Sequence, residues 1–351
     1  MLQVRTHQLV ISVPKTLAHH ASTLLPLPDG RVLVAWFGGS RESSNDVSIW
    51  LSEKTQDRFS EPRCIASSME PHWNPVLFER QDGSILLFYK VGFPIPEWRT
   101  EVIESCDGGH TWSEPRELVP GDRCGGRGPV RNKPLSLPGG RIVAPSSLEK
   151  GLWRCFMDLS DDDGRTWHQS QFIEARGTHD LHEGLLHWQK VAMDSYLSGK
   201  PFDPSSVPPE YAHGRGVIQP TLWMDQYGLH ALLRSGEGYI YRTDSADSGE
   251  TWCEAYPTSI PNNNSGIDLT MLPGGELILC YNPVGGNFSA RSPISLAISR
   301  DLGENWEKIC DLETEPDEFS YPAIVSRGNH VYLTYTYRRQ NIAYWEFDWL
   351  P

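Results

Sequence analysis

Ser105 to Trp112 reads SCDGGHTW, and the same S-x-D-x-G-x-T/N-W pattern returns at Ser160 to Trp167, Ser245 to Trp252 and Ser299 to Trp306. A motif recurring at such intervals means one structural unit copied along the chain, here with a period of about 54 residues and roughly 30 more in the middle interval. A decayed copy lies one period upstream, where Ser52 to Phe59 keeps a Ser, Asp57 and an aromatic residue and is followed by the same S-E-P as Trp112. Each box reads as a tight hairpin: Asp bonds its own turn backbone, Gly supplies positive φ, and Trp covers the turn. The box carboxylates are therefore read as structural.

A second series counts the units. An apolar run, a Gly turn and another apolar run recur six times, around Gly30, Gly83, Gly140, Gly228, Gly275 and Gly328. Each is a hairpin by length and turn chemistry. Units with one inner hairpin and one boxed outer hairpin are propeller blades, so the expected fold is all-β, a six-bladed β-propeller in a single domain over 1–351. The sixth unit lacks a box, and Val4 to Ser12 is a spare strand expected to complete that blade and close the ring. Between Gln171 and Val217 the period breaks, an insertion between blades 3 and 4. Its segment His182 to Ser198 is written as an amphipathic helix and Pro201 to Pro209 as a loop, which fits a lid and a surface excursion equally.

The chain has 351 residues, 38% hydrophobic, with 13 Trp, enough for a large core. Its formal charge of -14 disfavours nucleic acid and anionic membrane as partners. No apolar stretch is long enough to span a membrane and no leader follows Met1; with seven Cys lacking C-x-x-C spacing, a reducing, cytoplasmic setting is expected. The scattered His and Asp residues form no short ligand motif, so no metal ligand or cofactor is assigned and metal dependence is left open.

Polar residues stand at one edge of every inner hairpin: His20, Asn74, Lys133, Gln219, Asp268 and Tyr321 before the first run, and Arg41 with Asp46, Lys90, Glu149, Arg234, Asn282 with Arg291, and Arg338 after the second. A polar funnel at the axis is the simplest cause. Arg131, Arg234, Arg242, Arg291 and their neighbours offer guanidinium forks suited to a carboxylate. Asp46, Glu149 and Asp268 supply acids, while Tyr321 and His72 are candidates for nucleophile or base. The expected ligand is an anionic sugar.

With these motifs the chain resembles the sialidase superfamily, six-bladed propellers with Asp-box (BNR) repeats. By that resemblance Arg41 and Asp46 match an Arg followed five positions later by the acid, Asn282-Pro283 and Arg291 match a carboxylate-binding site, and Tyr321 matches the nucleophile. Arg234 and Arg242 both match the fourth-blade Arg. Two positions depart from the family: His20-Ala21-Ser22 stands where its R-I-P motif would be, and Gln219 stands where a Glu activates the Tyr, leaving Glu149 or the insertion to replace that base. The resemblance implies retaining hydrolysis of a terminal acidic sugar, sialic acid or another ulosonic or uronic acid, with Asp46 as acid. A lyase acting on a uronate glycan and a non-catalytic sugar-binding propeller remain as rivals. The oligomeric state is left open.

Overall fold

The computed structural model describes residues 2–350, which form six antiparallel sheets around one axis. Blade 1 begins with Ala18–Pro26, Val32–Gly39 and Ser48–Thr55, and blade 2 with His72–Glu79, Ile85–Val91 and Arg99–Ser105. Blade 3 is built on Ile142–Leu148 and Arg154–Ser160, blade 4 on Val217–Asp225, Gly228–Ser235 and Tyr239–Ser245, and blade 5 on Asp268–Met271, Leu277–Tyr281 and Ile294–Ser299. Blade 6 takes Phe319–Arg327, His330–Tyr337 and Asn341–Trp349 from the C-terminal end and Leu2–Leu9 from the N-terminal end. That outer strand pairs antiparallel with Asn341–Trp349, Leu2 facing Trp349 and Leu9 facing Ala343. The ring is thus closed by backbone hydrogen bonds between the two ends, as expected.

The boxes join blades as well as turn strands. Ser105 Oγ bonds Asp107 (2.8 Å) and accepts from Gly109 N–H (2.9 Å), while Asp107 accepts from Thr111 N–H (2.9 Å). The same bonds recur around Asp162, Asp247 and Asp301. Each box Gly has positive φ and also lies against the preceding blade: a Cβ on Gly109 would stand 2.6 Å from Leu33, and one on Gly303 3.0 Å from Trp223. Both reasons exclude a side chain there. An Arg of the preceding blade completes the joint, since Arg31, Arg80, Arg141 and Arg242 donate to the carbonyls of Gly108, Asp163, Ser248 and Leu302. The decayed copy differs. Lys54 and Gln56 replace its Asp and Gly, and the chain makes a short turn at Gln56 (φ 54°), with Ser52 bonded to the Ser60 carbonyl (2.7 Å).

The insertion forms the helix His182–Leu197 and a loop with two short 3-10 turns, Pro204–Ser206 and Pro209–Tyr211. Among the described residues no helix is long and apolar enough to cross a membrane, and no cysteine is paired with another.

Hydrogen bonds from Thr166 hold the Asp162 carboxyl down to about 2. Because that value lies below the unfolded one, its stabilisation is present above pH ~4 and is lost as pH falls toward the folded value. Asp162→Ala should therefore lower the urea midpoint at pH 7 and have a much smaller effect near pH 2.5. An equal effect at both values would mean that the ionised carboxylate does not hold the turn.

Candidate functional site

In blades 1, 2, 4 and 6 the innermost strand slips register at His20/Thr23, Trp73/Val76, Ile218/Thr221 and Ser320/Ala323. At each slip one residue takes the left-handed conformation: Ala21 (φ 51°), Asn74 (46°), Gln219 (54°) and Tyr321 (55°). A bulge bends the strand and re-aims a side chain, and left-handed backbone on a non-Gly residue costs free energy that neighbouring structure must hold. Pro75, Pro220 and Pro322 follow three of the four, and the ladder is interrupted there and resumes at the next residue. The side chains of Asn74, Gln219 and Tyr321, with His20 beside Ala21, meet at the axis.

There they line a cavity of 260 Å³ with Phe37, Glu42, Trp73, Trp98, Glu149 and Arg234. Arg234 is 4% exposed; its Nε donates to Asn264 Oδ1 (2.8 Å), and its Nη1 donates to Gln219 Oε1 (3.0 Å) and to the Tyr321 hydroxyl (2.8 Å). Its Nη2 meets no acceptor among the described residues. The Tyr321 ring has the guanidinium carbons of Arg131, Arg234 and Arg291 at 5.6, 5.5 and 5.3 Å from its centroid and the His20 ring at 4.4 Å. Arg291 donates to Glu318 (2.6 Å), which also accepts from Arg339 (2.6 Å).

The electrostatics divide the cavity. Burial, reinforced by Arg339, Arg291, Arg131 and Arg234, holds the His20 pKa well below 6.5, so the ring is neutral at physiological pH. Its Nδ1 pairs with Thr336 (2.9 Å) while its buried Nε2 has no partner. Glu149 behaves in the opposite sense: burial raises its carboxyl above the ordinary range, Arg234 opposes that shift and Glu42 adds to it. No donor in the described residues meets the Glu149 carboxylate. The site therefore has guanidinium groups around Tyr321 and, at Glu149, a carboxyl whose proton affinity is raised by burial.

The other expected residues lie elsewhere. Asp46 is exposed and accepts from Ser40 N–H and Ser40 Oγ (both 3.0 Å), capping its own loop; Glu42 of that loop lines the cavity instead. Arg41 is exposed on the same loop, outside the lining. Arg242 is the blade-joining Arg described above, in ion pairs with Asp244 and Glu304 (both 2.9 Å), so the structure separates it from Arg234. His72 bonds the Glu70 carbonyl (2.9 Å) and stacks on Tyr89 in a lateral groove. Lys90 is fully buried between Thr100 and the Arg127 carbonyl (both 2.6 Å), and burial lowers it to about 7. Asn282 holds the Pro293 and Phe319 carbonyls, and Arg338 pairs with Glu315 and Asp317.

Arg131, Lys133 and Asp268 form a separate hub. Asp268 accepts from Lys133 Nζ (2.9 Å), Thr221 Oγ1 (2.6 Å) and the Ile324 and Leu269 N–H groups (both 2.9 Å), and Arg131 donates to the Pro322 carbonyl (2.8 Å) and to that of Tyr321. Lys133 and Asp268 neutralise each other, while Arg131 donates only to carbonyls and its buried Nε has no partner among the described residues.

The sequence reading missed Glu42, the aromatic wall of Phe37, Trp73 and Trp98, and the buried run Asn262-Asn263-Asn264-Ser265-Gly266 that seats Arg234 and Tyr321. Three consecutive Asn residues ahead of an inner strand were the available signal. Among the described residues no group of three or more His, Cys, Asp or Glu side chains is arranged to hold a metal ion.

Fold and box repeats together define a propeller of the sialidase type. The chain belongs to the BNR repeat-like domain family, whose pattern matches residues 30–333. No curated protein is significantly similar to it in sequence. In structure it is similar to a Dyadobacter fermentans protein of unknown function (16% identity, 99% of each chain, TM-score 0.71). It is also similar to the NanB sialidase of Streptococcus pneumoniae (14% identity, 98% of this chain and 71% of that one, TM-score 0.71). A third is the intramolecular trans-sialidase of Ruminococcus gnavus (12% identity, 97% of each chain, TM-score 0.67). At these identities the likeness is one of fold.

Asn264→Ala strands the Nε of a buried guanidinium. It should cost about 1–3 kcal/mol in urea denaturation, the range for an unsatisfied buried polar group. A loss near zero would show that Arg234 is held without it.

Proposed function

We propose that the protein is an exo-acting glycosidase of the sialidase type, removing a terminal acidic sugar from a glycan or glycoconjugate. The observation that carries this reading is the Tyr321 hydroxyl held by Arg234 in a small axial cavity whose wall includes Glu149. At 260 Å³ the cavity is below the ~300–1,000 Å³ of sites for drug-sized ligands, which suits one sugar ring better than a chain. The free N–H groups of Arg234 and Arg291 are the donors for a substrate carboxylate, and the aromatic wall is the surface for the sugar's apolar face.

In this scheme the Tyr321 hydroxyl passes its proton to water as it attacks. Its oxygen bonds to the anomeric carbon as the glycosidic C–O bond breaks, and Glu149 gives its proton to the leaving oxygen. Water then attacks the same carbon, releasing Tyr321, and the Glu149 carboxylate takes the water's proton. Arg234, donating to the phenolic oxygen, stabilises negative charge there when Tyr321 departs. Glu149 takes the acid role in place of Asp46 because it lines the cavity, and burial shifts its carboxyl toward the protonated form.

His20 and Gln219 set the substrate. A neutral imidazole supplies no third guanidinium for the carboxylate, and an amide cannot take the phenolic proton. Sialic acids with an ordinary aglycone should therefore be poorer substrates than another ulosonic acid or a uronic acid. A panel of aryl glycosides of the three classes tests this. A free reducing sugar supports hydrolysis, whereas an ultraviolet-absorbing unsaturated product would replace it with elimination.

Glu149→Gln should cost about 10²–10⁴-fold in kcat on glycosides with poor leaving groups, and far less on aryl glycosides, which need little protonation. Wild-type activity should fall as pH rises through the raised Glu149 pKa, and this alkaline limb should disappear in the variant. An unchanged limb would remove Glu149 from the acid role. Arg291→Lys should weaken acidic ligands far more than their neutral, reduced counterparts; equal loss would leave the residue a support of the fold.

A further inference from the structure

The insertion encloses a second cavity, of 480 Å³, between the helix His182–Leu197, the loop Phe202 to His213 and Phe93 of blade 2. Trp188, Met193, Phe202 and Tyr211 contribute to its walls, and no charged side chain lines it. Its imidazole, His213, is held neutral by burial and by Arg234. A volume within ~300–1,000 Å³ with mostly apolar walls has the character of a small-molecule site.

Two observations place this cavity against the axial one. Phe93 lines both. Gln189 of the insertion helix donates to the Glu149 carbonyl (3.1 Å) and accepts from Gly151 N–H (2.8 Å), fastening the segment that carries the proposed acid. Gly151 in turn lines the apolar cavity, where a Cβ would stand 2.8 Å from Leu186. Beneath them, Arg234 lies on the Trp153 face (5.6 Å) and Trp153 meets His213 edge-on (5.4 Å).

The direction of the chemistry selects the occupant. The acid must reach the oxygen that departs, so the group attached to that oxygen lies on the Glu149 side of the scissile bond. Phe93 borders both the axial site and the apolar cavity, and the Glu149–Gly151 segment is fastened to the helix that walls the latter. A further sugar there would find few groups to replace its water, because the Gln189 amide is already engaged with the Glu149–Gly151 backbone. Flat aromatic walls favour a ring. We infer that this cavity is the aglycone site, and that it takes a hydrophobic, ring-bearing group linked to the acidic sugar. The inference rests on the glycosidase reading.

The test uses 2-naphthol as a free aglycone probe, titrated calorimetrically, with 2-naphthyl and methyl glycosides of each acidic sugar as paired substrates. Ala192→Trp fills the cavity. Met193→Lys, at a position 42% exposed and so tolerant of substitution, brings a charge to its wall. The wild type should bind 2-naphthol saturably, and both variants should weaken it at least tenfold. The naphthyl-to-methyl ratio of kcat/KM should fall by at least about tenfold, or ~1.4 kcal/mol. Binding that does not saturate, or equal binding to all three proteins, overturns the inference. So does a wild-type dimer that Met193→Lys dissociates in sedimentation, which would make the cavity an interface between copies. No glycoside turnover overturns the glycosidase reading itself, whereas turnover with a naphthyl-to-methyl ratio unchanged in both variants overturns the aglycone assignment alone.

Discussion

The buried carboxylate of Asp268 is the point on which the axis is assembled. It accepts hydrogen bonds from Lys133 in the chain leading into blade 3, Thr221 of blade 4, Leu269 of its own blade 5 and Ile324 of blade 6. An ionised group at 2% exposure is tolerated only when its lone pairs are satisfied, and removing one partner of such a pair typically costs ~3–5 kcal/mol. Thr221 and Ile324 follow Gln219 and Tyr321 on the same strands. The hub therefore fixes the strands just beyond their bulges, and this lets Gln219 and Tyr321 keep left-handed backbone and hold their side chains together at Arg234.

The charge arrangement above the hub follows from burial and pairing. Glu318 is drawn below its ordinary range because its bonds to Arg339 and Arg291 outweigh its burial. It is thus a fixed counter-charge and a poor proton acceptor. Glu149 has no such partner and is shifted the other way. Two carboxyls near one cavity are pushed apart in proton affinity by their surroundings, the pattern by which acid and anion roles are assigned in glycosidases generally.

What the sequence disclosed follows the range of the physics involved. The boxes and the Gly-centred hairpins are local turn chemistry, so four boxes sufficed for the period and its break at the insertion, and six hairpins with one spare strand for blade count and ring closure. The polar residues before each inner strand were also legible, but their shared position hid two different fates. His20, Asn74, Gln219 and Tyr321 reach the cavity, while Lys133 and Asp268 join the hub, because only the bulged strands re-aim their side chains. Bulges leave little mark on a single sequence; here the Asn-Pro, Gln-Pro and Tyr-Pro pairs were that mark. Glu42 and Asp46 share one loop, and spacing alone selected the member that caps a turn. Arg242 falls near the family position of Arg234, yet its true equivalents are Arg31, Arg80 and Arg141, a relation visible only once the blade joints are known.

The insertion's place in the chain now has a physical reason. It leaves the ring after blade 3, where Ile173 bridges Cys155, and returns at Val217, where Gly216 bridges Trp153, so both its ends are anchored beside the strand Arg154–Ser160 that follows Glu149. A loop fastened at both ends to a rigid scaffold costs little more closure entropy as it lengthens. Its helix is tied to the Glu149 segment by two hydrogen bonds through one side chain, Gln189. A change in the insertion therefore acts on the carboxyl without passing through the hub, which leaves the axial residues constrained while the wall beside them is free to vary.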